Sequence, residues 1–506
     1  MTATDYTLFT DVFLVVRDGA VLREYPEPDA APLTPLRQGQ HLRRLDTVNW
    51  NGAWLRFYAD VIGGRKYEGY LYYTDVEQAP EGTTVPVDAA PPPSPPAAPP
   101  SAPPTRPSAG AATDMLVLGC VDPTVTDAMC AAYMKSVEQL TRVSPANVKD
   151  GLDKLSIRPL TAPLPGLMSI AEVQQALRTL GFFPGGETDG IYGYRTLSAI
   201  RLFQEYVRTM ERQRCLPDGR FGPETQAHLK RWLATGQQPD WRPQPGEYEA
   251  WLSLLEGVKQ KYLATPGPVL EKVNAFTGAM DTRKVANWIT TGPGHIHLIG
   301  VRRQEATNKF DDIFVLLMKG LVFKFQGSTE PGSSTHEDGP PYIVQGQHDY
   351  RFGWHRSTYL ALRPKNLSGV LVIRAGANKK LDDADLARGL KPEPSINIHW
   401  GGRGVGRDVK DWSEGCQVIN GEVYVNPAQQ FEVCSDFAAT GSKEPLTKPE
   451  KTRGAYNVLV DVVTALSGDM PDNTVTYTLL TEADLDLAPP LKQSLADARA
   501  RVLRLI

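Results

Sequence analysis

The sequence predicts a multidomain chain: a small all-β barrel, a three-helix module, and a β-rich domain with flanking helices. Three observations carry this. At 506 residues the chain is too long for one core, because domains typically run about 100–200 residues. Residues 80–112, which include "PPPSPPAAPPSAPP", are too rich in proline, alanine and serine to bury a core and read as an extended linker. The frame D-G-x-aromatic-G-x-x-T occurs twice, at Asp189–Thr196 and Asp218–Thr225, 29 residues apart. The expected boundaries are 1–79 for the barrel, 80–112 for the linker, 113–166 for a connecting segment, 167–235 for the helical module and 246–506 for the β-rich domain.

Before the linker, the short alternating segments "VFLVV", "HLRRL", "WLRFY" and "GYLYY" are separated by turn signals such as "PEPDA", as in a small barrel. The layout resembles bacterial SH3-like domains. Trp54, Tyr58 and Tyr70 are candidates either for a ligand groove or for the core of so small a barrel. The connecting segment shows one helix, around Thr126–Thr141, and no chemistry.

In the repeated frame the glycines permit a tight turn, the aromatic plugs the interior and the threonine opens a helix. Upstream, "IAEVQQALRTLG" has the apolar spacing of an amphipathic helix ended by Gly181. Together these residues resemble the helical peptidoglycan-binding domain of cell-wall hydrolases over about 167–235. The resemblance implies peptidoglycan as partner, with Asp189, Gly190, Tyr192, Asp218, Gly219 and Phe221 as wall-binding residues. A module that has lost its ligand and serves as a spacer is the alternative.

Charge and composition exclude other classes. The net charge of −4 supplies no basic field, so nucleic acid is not an expected partner. No segment approaches the roughly 20 apolar residues of a membrane span. The start "MTATDYTLFT" lacks the basic opening of a signal peptide. The protein is therefore expected to be made in the cytoplasm and to reach the periplasm or wall by lysis, injection or specialised secretion. Five cysteines, few and odd in number, argue for free thiols.

The β-rich domain holds the chemistry. "HIHLIGVR", "DDIFVLLMKGLVFKFQG", "GVLVIRAG", "SINIHWGG" and "TVTYTLLTE" read as strands. His399 ends one of them, and Cys416 follows a glycine-rich loop. A thiol with pKa near 8.5 needs a neighbouring imidazole to take its proton, and attack on a carbonyl needs N–H donors for the oxyanion. His399, Gly415 and Cys416 meet those needs.

"HWGG" followed by "SEGCQVI" resembles the active-site signature of the L,D-transpeptidase catalytic domain, closest to a divergent phage and prophage branch with an upstream "DD…F…STEP" segment, here Asp311, Asp312, Phe325 and Ser328–Pro331. That likeness implies Cys416 as nucleophile, His399 as base and the Gly415 and Cys416 amides as oxyanion donors. Ser413 shapes the loop, and Glu414, Trp400 and Gly401 adjoin the substrate. Tyr342, Gly346, Trp354 and His355, in "PPYIVQGQHDYRFGWH", would form the wall of the cleft. Glu414 stands where the family has a second histidine and Val418 where it has arginine or asparagine, which leaves Arg403 or Arg407 to take the substrate carboxylate.

The implied reaction is thioester formation at the third residue of a stem tetrapeptide with loss of the terminal D-alanine, most simply as an L,D-carboxypeptidase. Cross-linking transpeptidation is the alternative, as is a non-catalytic wall-binding component of a phage or contractile-injection particle. No cofactor or metal is expected. The enzymatic rival is zinc chemistry through His295 and His297, with His336, His348 or His355 recruited.

Overall fold

The computed structural model describes residues 12–17, 19–23, 32–44, 54–61, 65–79, 115–141, 157–292, 294–303, 309–332, 339–355, 358–376, 382–404, 408–409, 412–441, 444–448, 450–470 and 473–503. The linker 80–112, His336 and Arg407 lie outside the described residues, as do the side chains of Trp54 and Tyr58. The chain divides into two units, residues 1–111 with 211–214, and 112–210 with 215–506.

The first unit is a seven-stranded antiparallel sheet: β1 (Val12–Val15), β2 (Val21–Arg23), β3 (Pro32–Pro35), β4 (His41–Arg44), β5 (Trp54–Val61), β6 (Arg65–Tyr72) and β7 (Val76–Gln78), in the order β3-β2-β6-β5-β4-β1-β7. Side chains alternate across a strand, so Phe13 and Val15 of β1 are buried while Val12 and Leu14 are half-buried. Phe13 meets Phe57 edge to face at 5.3 Å, in a core with Leu22, Leu42, Leu55 and Leu71.

The second unit begins with β8 (Cys120–Val121), α1 (Asp127–Thr141) and β9 (Arg158–Pro159), followed by α2 (Ile170–Thr179), α3 (Tyr194–Thr209) and α4 (Pro223–Thr235). The segment expected to be a mere connection is part of the helical module. Leu116 bridges to Phe221 and Val121 to Ile191. Asp122 accepts the Ile170 and Ala171 amides, both at 2.9 Å, supplying negative charge to the N-terminus of α2. Ser169 and Glu172 form a capping box on the same turn.

Next come α5 (Glu247–Ala264), α6 (Gly267–Ala275), β10 (Thr282–Arg283), β11 (Ile296–Arg302), β12 (Asp312–Met318), β13 (Leu321–Ser328), β14 (Pro341–Ile343), β15 (Gly346–His355), β16 (Tyr359–Pro364) and β17 (Val370–Arg374). The chain continues through α7 (Asp383–Ala387), β18 (Lys391–Glu393), β19 (Ile398–Trp400), β20 (Gln417–Val425), β21 (Phe431–Val433), α8 (Glu444–Thr447), α9 (Ala455–Leu466), β22 (Val475–Thr481) and α10 (Pro489–Leu503). Eight strands close on themselves in the order β15-β16-β19-β20-β13-β12-β11-β22, with β22 pairing back to β15. A small sheet, β14-β17-β18, stands apart from this barrel.

The continuous apolar run of β12 reflects burial on both faces. Phe314, Leu316 and Met318 join a core shared with α9 and the helical module, while Ile313, Val315 and Leu317 join one shared with α5, α6 and α10. The module and the β-rich domain, expected as separate domains, form one compact unit. Helix α3 is buried on nearly every side because α9 packs along it. Buried Arg201 of α3 forms a two-point ion pair with buried Asp461 of α9, at 2.9 and 2.7 Å. No helix among the described residues is long and apolar enough to cross a membrane.

Candidate active site

Strands β19 and β20 run parallel, with Ile398 beside Gln417 and His399 beside Val418. Cys416 immediately precedes β20, so it lies diagonally across from His399. Both line one cleft of about 360 Å³ together with Trp354, His355, Glu414 and Gly415. Sequence positions more than fifty apart thus meet at one end of the barrel.

The nucleophile loop is fixed by polar contacts on both sides. The Asn397 amide donates to Cys416 Sγ at 3.3 Å, a contact that favours the thiolate. Ser413 Oγ donates to the Cys416 carbonyl at 2.6 Å and accepts the Gly415 amide at 3.1 Å. The Gly415 N–H, expected as an oxyanion donor, is therefore committed within the loop. Glycine is needed here for space, since a Cβ at 415 would lie 2.4 Å from Pro341 Cγ. Buried Gln417 anchors the start of β20 by donating to the Thr329 carbonyl and accepting from Tyr477 Oη, at 3.1 and 2.9 Å. Thr329 in turn is held by Asp312, which accepts its amide and hydroxyl, both at 2.7 Å. Asp312 and Thr329 of the "STEP" segment thus support the cysteine loop from behind, while Asp311 pairs with Arg303.

His399 is 3% exposed, and its Nδ1 donates to the Trp400 carbonyl at 2.8 Å. That bond leaves Nε2 as the nitrogen able to accept a proton. The His355 ring stacks on His399 with centroids 4.3 Å apart and planes 24° apart. Asn397 Nδ2 reaches His355 Nδ1 at 3.3 Å. Beneath the cleft, Tyr350 Oη donates to the Ile396 carbonyl at 3.3 Å, and burial first, then Tyr477 and Cys416, push its pKa well up, so it stays a donor.

Several expected wall residues lie elsewhere. Trp400, fully buried, faces away from His399 because neighbours in a strand alternate, and it packs against Trp412 at 5.3 Å. Gly401 is closed off by Phe310, 2.6 Å from where a Cβ would be. Tyr342 lies in the small sheet under Arg302, and Gly346 packs on Trp288 and Leu270, so neither lines the cleft. Arg403 donates to the Ser435 carbonyl and lies 3.8 Å from Glu422, outside the cleft.

The cations that do line it, Arg363 on β16 and Arg374 on β17, were missed, together with Glu393, Ser395, Asn397 and Trp412. Arg374 pairs with Glu393 at 2.7 Å. His295 and His297 lie outside this cleft; His297 Nε2 donates to the Thr291 carbonyl at 2.8 Å and burial lowers its pKa. No group of three or more metal-ligating side chains occurs among the described residues.

In the helical module, the repeat residues form a duplicated scaffold. Gln174 Oε1 accepts the Gly190 amide at 3.0 Å, while its Nε2 donates to Asp189 and Thr196 at 2.8 and 3.0 Å. Gln204 does the same for Gly219, Asp218 and Thr225, at 2.9, 3.3 and 3.0 Å. Tyr192 and Phe221 are fully buried. Asp189, Gly190, Tyr192, Asp218, Gly219 and Phe221, expected as wall-binding residues, hold the module's two loops in place. Their glutamine partners, unrecognised in the sequence, recur 30 residues apart, each five residues before the last residue of its helix.

Residues 169–229 match the family described as "Putative peptidoglycan binding domain". No curated protein and no solved structure matches the chain. The family match supports a wall-binding module with peptidoglycan as its partner.

Proposed function

We propose that the protein is a cysteine enzyme that trims peptidoglycan stem tetrapeptides to tripeptides. The observation that carries this reading is Cys416, contacted by the Asn397 amide and sharing a cleft with His399, in the same compact unit as the peptidoglycan-binding module. The thiol proton passes to His399 Nε2, and Sγ bonds to the carbonyl carbon of the third stem residue. The C–N bond to the terminal D-alanine breaks, and the departing amine takes the proton from His399. Water then attacks the thioester, loses a proton through His399, and releases the tripeptide carboxylate and Cys416.

Arg363 supplies a cation for a stem carboxylate, the task first expected of Arg403 or Arg407, and Arg374 beside it in the cleft is paired with Glu393. Their place in the cleft also fits a short charged peptide better than a long apolar one. The first unit accompanies this enzyme as an SH3-like module.

Incubation of the protein with tetrapeptide muropeptides, followed by mass spectrometry, tests the reading. Tripeptide plus free D-alanine is expected, with loss of at least about a hundredfold in rate for Cys416→Ala. Dimers joined between third-position residues would replace water by an amine as acceptor. Undiminished activity in Cys416→Ala would rule out the mechanism.

A further inference from the structure

The two imidazoles in the cleft come from different strands, His355 from the end of β15 and His399 from β19. Their parallel contact at 4.3 Å places two titratable rings against one another beside a thiol. We propose that His355 is a positioning residue for His399: the two rings share a single proton, and that shared charge sets the pH at which Cys416 is activated. This rests on the reading of Cys416 and His399 as nucleophile and base, and deepens it.

Two stacked imidazolium ions repel strongly, so the pair accepts one proton readily and a second only at much lower pH. The surrounding charges agree with one proton rather than two. Arg363 and Arg374 line the same cleft, and Arg453 lies 4.3 Å over the ring of Tyr359, which itself contacts both histidines. Glu414 and Glu393, the latter paired with Arg374, line the same cleft and favour the first proton.

Asn397 equips the pair for either state. Its Nδ2 faces His355 Nδ1, which then accepts, and its Oδ1 is buried without a hydrogen-bond partner. Turning the amide over would present Oδ1 to a protonated Nδ1. The same residue's backbone N–H contacts the Cys416 sulfur, so one residue touches the thiol and the second ring. When the thiol proton passes to His399, a neutral His355 beside it stabilises the imidazolium. The pair therefore keeps its positive charge to higher pH than a lone imidazole would.

Ring titration by NMR of the full chain, ¹³C-labelled at its eight histidines and carrying Cys416→Ala, reads this directly. His355 and His399 should move together in two steps separated by more than about one pH unit. With His355→Gln, or with His355→Phe, which keeps a stacked ring, His399 should titrate in one step lying between the two steps of the pair. In the chain with its thiol, both variants should lower the rate of Cys416 alkylation at pH 7 by about threefold or more.

A His399 midpoint unchanged by both substitutions would overturn the proposal, as would a midpoint that phenylalanine, but not glutamine, keeps at the upper step of the pair. Coupled titration without any muropeptide product would support the pair while removing the proposed reaction. Product formation with independent titrations would do the reverse.

Discussion

Each of the five cysteines sits in a distinct environment, and the differences decide which can react. Cys120, Cys215 and Cys434 are buried, and burial followed by Glu205 pushes the Cys434 thiol far up. Cys130 is half-buried on α1, with its thiol raised by burial and then by Asp127. Cys416 is half-buried in the cleft and receives a backbone N–H. Brief iodoacetamide treatment of the native protein should therefore modify Cys416 first, Cys130 at least about tenfold more slowly, and the other three only after unfolding. Peptide mapping that finds Cys130 modified first would contradict this ordering.

The cysteine-histidine pairing was legible because a strand, a glycine-rich loop and the next strand lie in one short stretch of chain. Trp400 was misassigned for want of the two-residue period: a residue next to an inward-facing histidine in a strand faces the other way. Arg363 and Arg374 were not legible at all. They enter the cleft through strands paired far from Cys416 in sequence, and nothing in their local context separates them from the chain's other arginines.

Among the elements, the duplicated loop-helix frame shows how a repeat can be read correctly while the contact that holds it is overlooked. Asp-Gly-aromatic-Gly was visible as a unit, and the aromatic was rightly expected to plug the interior. The contact that explains the repeat, a glutamine one helix earlier, lies outside the motif. Each glutamine satisfies a buried glycine amide and also reaches the aspartate and threonine of its loop. Gln174→Leu or Gln204→Leu should each destabilise the second unit by about 2–4 kcal/mol, since a buried N–H and part of a network lose their partner. A thermal midpoint unchanged in either variant would refute that role. The recurring helix with glutamine at one position followed by the same loop is the signal that could have revealed it.

For the second unit as a whole, the helical module is built into the β-rich domain rather than appended to it. Its α3 buries Arg201 against Asp461, Tyr194 meets the cleft residue Trp354 at 5.4 Å, and Trp241 meets Phe323 of β13 at the same distance. The apolar and charged faces of α3 are thus complementary to the barrel and would meet water if the module were cut free. Residues 167–235 alone also lack Asp122 at the N-terminus of α2 and Leu116 against Phe221. Residues 115–503 should therefore fold and sediment with purified sacculi, whereas 167–235 should aggregate or remain largely unfolded by circular dichroism. Should the short fragment fold and pellet with sacculi as well as the longer chain does, wall binding would be independent of the barrel and the interface would be merely a tight packing contact.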